Sequence, residues 1–152
     1  MNYEALTIAD YIIGKCLDDG IAVSNTKLQK LLYFVFGEYH RETNSDLFAE
    51  AFLAFPRGPV VAEVNEKYRG FGGAEIFMCS TTQIAPEDLA LIDKTIKARE
   101  AQNIEDLVGE THTPGLAWAK TVADAGIIEQ EIPRHYIYQD FAQGSAENGI
   151  YP

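Results

Sequence analysis

The strongest constraint on the fold of this chain is an apolar segment that begins at Ser24. Ser24 or Asn25 is typical of a helix N-cap. In the residues that follow, apolar side chains recur at helical spacing and cover most of the circumference: Leu28, Leu31, Leu32, Tyr33, Phe34, Val35, Phe36 and Tyr39. A helix that is apolar nearly all round is normally buried. The sequence therefore predicts a mainly α fold, a single compact helical domain around a buried central helix at about residues 25–41.

Other segments predict helices and short extended stretches around this centre. Residues 5–18 carry apolar side chains at helical spacing, with Asp10 on the outward face. Because proline suits the first helical turn and asparagine suits an N-cap, further helices are predicted after Pro59, Pro86, Asn103 and Pro133, and another over residues 116–125. Two short apolar runs, near residues 47–55 and 75–80, allow a short strand or hairpin.

A Pro-Gly-Pro corner follows the central helix. Phe55 precedes Pro56 and is predicted to be extended, because the residue before a proline avoids helical geometry. Pro59 is predicted to open the next helix. We interpret Gln29 as a buried amide that fastens this corner to the central helix, although its partner atom cannot be identified from the sequence.

Size and charge limit the classes of function. A chain of 152 residues with 47% hydrophobic residues predicts one domain, here residues 1–142, followed by a flexible tail at 143–152. Twelve Lys and Arg face 23 Asp and Glu, which gives a formal net charge of -11. This charge disfavours direct binding of nucleic acid, because phosphates are repelled. It either favours a basic protein partner or serves solubility alone.

The expected location is the cytoplasm. Residues 1–7 lack a basic region followed by an apolar run, so no secretory signal is predicted, and no apolar stretch is long enough for a membrane span. Cys16 and Cys79 stand in apolar surroundings without CxxC spacing, so both are predicted to be buried and reduced.

No motif for catalysis is visible, so the chain is not predicted to be an enzyme. His40, His112 and His135 are isolated and lack the spacing of a metal site, and His112 is interpreted as a residue at a helix C-terminus. Paired carboxylates fall near predicted helix ends, where they favour the helix dipole. We expect no catalytic residue, no cofactor and no metal.

Four motifs in order resemble one known family. Residues 28–34 read Leu-Gln-Lys-Leu-Leu-Tyr-Phe, residues 55–60 read Phe-Pro-Arg-Gly-Pro-Val, and residues 68–72 read Tyr-Arg-Gly-Phe-Gly. A Thr111–His112 pair then precedes a helix with Trp118, with two extra small residues in between. Together these resemble the Panacea domain, also called the SocA-like domain, over roughly residues 5–141.

The resemblance implies an antitoxin that neutralises a cognate protein toxin by direct binding. Toxins paired with this family include alarmone-type nucleotide synthetases and translation inhibitors, and members are frequent in phages and prophages. One alternative is a proteolytic adaptor that delivers a toxin or another partner to a protease. Another is an enzyme with an unrecognised site. The toxin, the stoichiometry and the binding surface are not identified by the sequence.

Six residues are predicted to contact the toxin, each with a structural alternative: Lys27, Lys30, Tyr33, Arg57, Tyr68 and Phe71. The two lysines instead suit a solvated helix face. Arg57 stands on a constrained corner, which favours a binding contact, but it also suits an ion pair with a carboxylate such as Glu63. Tyr68 and Phe71 form either an exposed aromatic loop or a plug in the core.

Overall fold

The described part of the chain folds as helices packed around one central helix, together with one two-stranded hairpin. The computed structural model describes residues 3–125 and 129–142, so the predicted tail at 143–152 lies outside the described residues. The elements are α1 Ala5–Asp18, α2 Asn25–Thr43, β1 Leu53–Phe55, β2 Gly58–Val60, α3 Ala62–Tyr68, α4 Pro86–Arg99, α5 Ile104–Thr111, α6 Ala117–Ala125 and α7 Arg134–Ala142. None of these described helices combines the length and apolar character needed to cross a bilayer.

Helix α2 is the centre of the domain, as its apolar pattern predicts. The Ser24 hydroxyl accepts a hydrogen bond from the Lys27 amide (3.3 Å), which caps the N-terminus, and the helix ends where Asn44 takes a left-handed conformation. Helices α1, α3, α4, α5 and α7 and strand β2 all contact it. The mainly α prediction is therefore confirmed.

Aromatic rings form the interior on one side of α2. Tyr33 and Phe36 each meet the Phe52 ring edge-on, at centroid distances of 5.2 and 5.4 Å. Helix α7 approaches α2 closely at Gly37, where a Cβ would stand 2.0 Å from the Phe141 ring. A glycine in the middle of α2 thus permits the packing of α7 despite its cost in helix propensity.

The hairpin differs from the predicted start of a helix at Pro59. Pro59 lies inside β2 opposite Ala54, and α3 begins only at Ala62. Pro59 has no N–H, but no hydrogen bond between β1 and β2 is lost at this position. The opposite residue, Ala54, donates its N–H to the Gln130 carbonyl oxygen and accepts a hydrogen bond from the Glu129 amide. The extended segment expected near residues 47–55 is therefore limited to β1, which pairs with β2 across the Pro-Gly-Pro corner.

Residues 75–80, where the sequence allows a second strand, follow an irregular path. The Ile76 amide is tied to the Val23 carbonyl oxygen (2.8 Å) and the Ile76 side chain is buried. Beyond it Phe77 and Met78 are 70% and 60% exposed. Cys79 is exposed as well, so its predicted burial is wrong, whereas Cys16 is buried as expected.

Candidate functional site

The segment Phe55–Val61, called the corner here, is held by side chains from three helices. Gln29 Oε1 accepts a hydrogen bond from the Val61 amide (3.0 Å), so the predicted fastening by a buried amide is confirmed. Trp118 Nε1 donates to the Phe55 carbonyl oxygen at 2.7 Å. His112 Nε2 lies 2.9 Å from the Pro56 carbonyl oxygen. The corner is therefore a rigid feature, since α2, α5 and α6 each bind its backbone.

His112 joins the corner to the end of α5. It is the C-terminal cap residue of that helix, as predicted, and its Nδ1 lies 2.8 Å from the Val108 carbonyl oxygen. Its ring packs on Trp118 with centroids 3.7 Å apart. Its Nδ1 also lies 3.3 Å from the Thr111 hydroxyl. Both ring nitrogens face backbone carbonyl oxygens, and these contacts let His112 hold the end of α5 against the corner.

Gly58 lies at the narrowest point beneath the corner. Its φ of 120° is strained for a residue with a side chain, and an added Cβ would stand 2.8 Å from both Lys30 Cε and Thr111 Oγ1. The Lys30 Nζ would be 3.0 Å from that carbon. The glycine thus allows the corner backbone to pass directly over Lys30 and Thr111.

Lys30 is a buried ammonium group, with only 1% of the residue exposed. Burial in the domain, followed by repulsion from the nearby Arg57 charge, lowers the pKa of Lys30 to about 7. No carboxylate of the described residues lies within ion-pair distance of it. The alternative of a lysine on a solvated helix face is therefore wrong for Lys30.

Arg57 is presented to solvent on the rigid corner. Its side chain is 52% exposed and pairs with Glu105 at 3.3 Å, rather than with Glu63 as the sequence suggests. The Glu105 side chain is itself 76% exposed, and ion pairs in such a setting contribute little to stability. Arg57 can therefore exchange Glu105 for another anionic partner at little cost in stability.

Besides Arg57, three of the six predicted contact residues have hydrogen-bond partners within the chain. Lys27 Nζ donates to the Glu100 carbonyl oxygen at the end of α4 (2.5 Å). The Tyr33 hydroxyl donates to the carboxylate of Asp140 (2.7 Å), and the Tyr68 hydroxyl donates to Asp10. Both tyrosines are buried, so in this conformation they support neighbouring surfaces and expose almost no area of their own.

Three buried carboxylates among the described residues, Asp10, Glu100 and Asp140, were not identified from the sequence, and two of them bind tyrosines. Asp10, predicted to face outward, is buried and binds the Tyr68 hydroxyl and Lys67 Nζ (3.1 Å). Asp140 accepts hydrogen bonds from Tyr33 and from the Ala117 amide (2.8 Å) at the start of α6, while burial raises its pKa to about 6. In the sequence, the only sign of either tyrosine-bound carboxylate is the tyrosine itself, because a buried phenol hydroxyl needs a hydrogen-bond acceptor.

An aromatic patch, defined here as Phe71, Phe77 and Met78, lies beside the Tyr68 turn. The rings of Phe71 and Phe77 meet edge-on with centroids 5.4 Å apart. Phe71 is half-buried, whereas Phe77 and Met78 are largely exposed. Sequence reasoning identified Phe71 but missed the other two, because an apolar run is normally expected to be buried.

A cavity of about 540 Å³ lies away from the corner, between α1 and the start of α4. Its phenols, Tyr3 and Tyr11, donate hydrogen bonds to Asp88 and Asp93 (2.6 and 2.5 Å). Burial and these bonds raise the pKa of both tyrosines, so neither offers a general base near neutral pH. Among residues 3–125 and 129–142, no cluster of His, Cys, Asp and Glu is suited to a metal ion.

A family model described as "Antitoxin SocA-like, Panacea domain" matches residues 28–119, more than half of the chain. The matched range includes Gln29, Lys30, the corner, His112 and Trp118. No curated protein and no solved structure gives a significant match. The matched sequence is thus the part in which the central helix and the corner are joined.

Proposed function

The chain belongs to the SocA-like Panacea antitoxin family, and we propose that it neutralises a cognate protein toxin in the cytoplasm by binding it directly. The observation that carries this proposal is the contrast between an immobilised corner and the side chains exposed on the same domain. The polar motif residues Gln29, His112 and Trp118 all bind backbone. They therefore build a rigid scaffold on which the exposed side chains are presented to a partner.

The aromatic patch supports a protein partner. Phe77 and Met78 are exposed beside Phe71, and aromatic and Met side chains are enriched in the cores of protein interfaces. Phe71 therefore remains a proposed toxin contact, now with two neighbours. The net charge of -11 favours a partner with a basic surface and would speed their encounter.

The other predicted contact residues divide into two roles in this proposal. Arg57 contacts the toxin directly. The corner already holds the Arg57 backbone in place, so little backbone conformational entropy is lost on binding. Lys27, Tyr33 and Tyr68 position the surfaces around it through their internal hydrogen bonds. Lys30 is buried, so it supports the corner from beneath and offers the toxin no surface of its own.

Co-expression with the product of the adjacent gene tests the proposal. Growth should stop when that product is expressed alone and resume when this chain is co-expressed. The double variant Phe77→Ser with Met78→Ser should lose rescue while keeping the folded protein level, because both side chains are exposed. The control variant is Arg69→Gln. Arg69 is also exposed and lies beside the patch, so this variant should rescue growth normally.

Two outcomes would contradict direct neutralisation. A neighbouring product that is harmless alone, or that stays toxic in the presence of this chain, would refute the antitoxin function. The half-life of the toxin, followed in the same cells after synthesis is blocked, separates the mechanisms. A stable but inactive toxin supports sequestration, whereas rapid loss that depends on this chain would replace it with adaptor-driven proteolysis.

A further inference from the structure

The segment between Ile76 and helix α4 passes along α1 with its backbone unpaired. The Ile76 amide donates to the Val23 carbonyl oxygen beyond the end of α1. The Ala85 amide donates to the Tyr3 hydroxyl before the start of α1 (3.1 Å). Between these two hydrogen bonds, residues 77–84 make no backbone hydrogen bond to another described residue. Their carbonyl oxygens are therefore left to solvent, and donors from a partner can replace that water.

The second half of this segment lines the cavity of about 540 Å³. Residues 82–85 form one side of it, and Tyr3, Tyr11 and Leu89 form the rest. The volume lies within the range of ~300–1,000 Å³ that is typical of ligand pockets. The cavity opens to solvent, so it has room for a large side chain that enters from outside the domain.

Both phenols of the cavity can only accept further hydrogen bonds. Tyr3 donates its single hydroxyl hydrogen to Asp88 (2.6 Å), and the Tyr3 oxygen already accepts the Ala85 amide. Tyr11 donates its own hydrogen to Asp93 (2.5 Å), and no described residue donates to the Tyr11 oxygen. A phenol that donates to a carboxylate is polarised and becomes a better acceptor. The Tyr11 oxygen is therefore a strong acceptor without a donor.

The carboxylates behind these phenols carry negative charge that no neighbouring basic group neutralises. Asp88 accepts hydrogen bonds from the Tyr3 and Tyr39 hydroxyls, and Asp93 accepts one from Tyr11. Within residues 3–125 and 129–142, no Lys, Arg or His lies within ion-pair distance of either carboxylate. A pocket that combines hydrogen-bond acceptors with negative charge in its wall favours a cation over a neutral or anionic ligand.

We propose that this cavity receives an arginine side chain of the partner protein, an inference that rests on the proposed function for the identity of the partner. A guanidinium has five N–H donors and no acceptor, which matches the Tyr11 oxygen and the carbonyl oxygens of residues 82–84. It is planar and more weakly hydrated than an ammonium, and it stacks on aromatic rings. Its aliphatic stem contacts Ile84 and Leu89.

The position of the cavity connects it to the surface proposed for the toxin. Phe77 and Met78 of the aromatic patch belong to the same segment as residues 82–85, so one partner can cover both. The net charge of -11 adds a general attraction for a basic protein. The patch then supplies apolar contact area, and the cavity selects the orientation that brings an arginine to α1.

A capped arginine is the direct probe of the cavity. The δ-methyl signal of Ile84, assigned by its loss in Ile84→Val, is followed by NMR at constant ionic strength. N-acetyl-arginine methylamide is added in one titration, and the uncharged N-acetyl-citrulline methylamide is added in the other. We expect a saturable shift with the arginine probe and none with the citrulline probe.

Two matched variants test the charge behind the phenol. Asp93→Asn keeps an oxygen for the Tyr11 hydroxyl but removes the charge, so arginine binding should weaken about fivefold. Asp124→Asn is the control, because Asp124 also accepts a phenol hydrogen, from Tyr136 at 2.7 Å, and does not line the cavity. Each variant removes one negative charge from the whole protein, so general attraction changes equally. Asp124→Asn should leave the titration unchanged.

A third variant tests the space itself. Thr82→Phe places a ring in the wall of the cavity and should abolish the arginine response. Thr82 makes no hydrogen bond to another described residue, so the fold should keep its thermal midpoint. Equal responses to arginine and citrulline would overturn the inference, as would an arginine response that persists at full strength in Asp93→Asn. Stronger saturation by N-acetyl-leucine methylamide would also overturn it, since the pocket would then select apolar side chains.

Calorimetric titration with the purified toxin connects the cavity to function. Asp93→Asn and Thr82→Phe should each weaken toxin binding at least fivefold, and Asp124→Asn should not. Equal affinity of Thr82→Phe and the unchanged protein would refute the cavity as a toxin site while the antitoxin function stands. A neighbouring gene product that is neither toxic nor bound, with the arginine probe still selective, would refute the antitoxin function and leave the cavity as an arginine site.

Discussion

Replacement of Lys30 by methionine should remove a dependence of stability on pH. Folding lowers the pKa of Lys30 from 10.5 to about 7, so above that pH the folded protein binds one proton fewer than the unfolded chain. The free energy of unfolding therefore rises with pH, by up to ~1.4 kcal/mol per unit. Lys30→Met retains an unbranched side chain of similar length and has no proton to lose, so its stability should lack this rise.

The magnitude follows from the shift and a limited pH window. Full titration of Lys30 from pH 7 to 10.5 corresponds to ~5 kcal/mol, as an order of magnitude. The useful window ends near pH 8.5, because Cys16 opposes the effect of Lys30 at higher pH. Burial raises the pKa of Cys16 to about 12 in the folded protein, whereas an unfolded thiol ionises near pH 8.5. Above that pH the unfolded chain loses a proton that the folded protein keeps, so stability falls. Between about pH 7 and about pH 8.5, Lys30 should contribute a rise of ~2 kcal/mol.

Urea unfolding at several pH values measures the rise. The single tryptophan, Trp118, donates to the corner at Phe55 and reports its loss by fluorescence. The remaining titratable groups are the same in both proteins, so the difference between the two pH profiles isolates Lys30.

Lys27→Met is the matched control on the same helix. It removes the hydrogen bond from Lys27 Nζ to the Glu100 carbonyl oxygen, so stability should fall while the rise with pH remains. The reasoning about Lys30 would be refuted by a Lys30→Met profile parallel to that of the unchanged protein. A stability of the unchanged protein that falls across the window would refute it equally.

Three further changes test other parts of the structure. Gly58→Ala should cost roughly 2 kcal/mol or more of unfolding free energy, seen as a lower thermal midpoint, because φ is positive and Lys30 and Thr111 crowd the new methyl; no loss would show that the corner is not tight. Burial raises the pKa of Asp140 from 3.8 to about 6, so stability should fall by ~3 kcal/mol as pH rises through this interval. In Asp140→Asn, the free energy of unfolding measured with urea should change much less over that pH interval. An equally steep fall in the variant would show that Asp140 is not its source. Phe77→Ser should weaken toxin binding at least tenfold in calorimetry with an unchanged thermal midpoint, since the ring is 70% exposed; full affinity would remove the aromatic patch from the interface.

The central helix could be predicted because its signals are local. An N-cap at Ser24 and an apolar surface over most of the following turns specify both the start and the burial of α2. The predicted helices at 5–18 and after Pro86 and Asn103 are confirmed for the same reason, since caps and helical periodicity act within a few residues. The resemblance to the Panacea family is confirmed as well.

The pairing of the corner could be predicted only in part. A buried amide at Gln29 was recognisable from its position in an apolar helix, but Pro59 was assigned to a helix, because proline suits a helix start and a non-bonded ladder position equally well. The choice depends on residues 129–130, which occupy the hydrogen-bonding groups of Ala54 from a distant part of the chain.

The sequence by itself determined which segments are helical, which helix is central and which family the chain belongs to. Only the tertiary structure decided which charges meet. It brought α5 to the corner, so that Arg57 pairs with Glu105 instead of Glu63, and it enclosed Lys30 without a carboxylate while it buried Asp10 beside Tyr68. The physical reason is range: capping and periodicity act along a few residues, whereas the partner of a charged or apolar side chain depends on elements that pack together from distant positions.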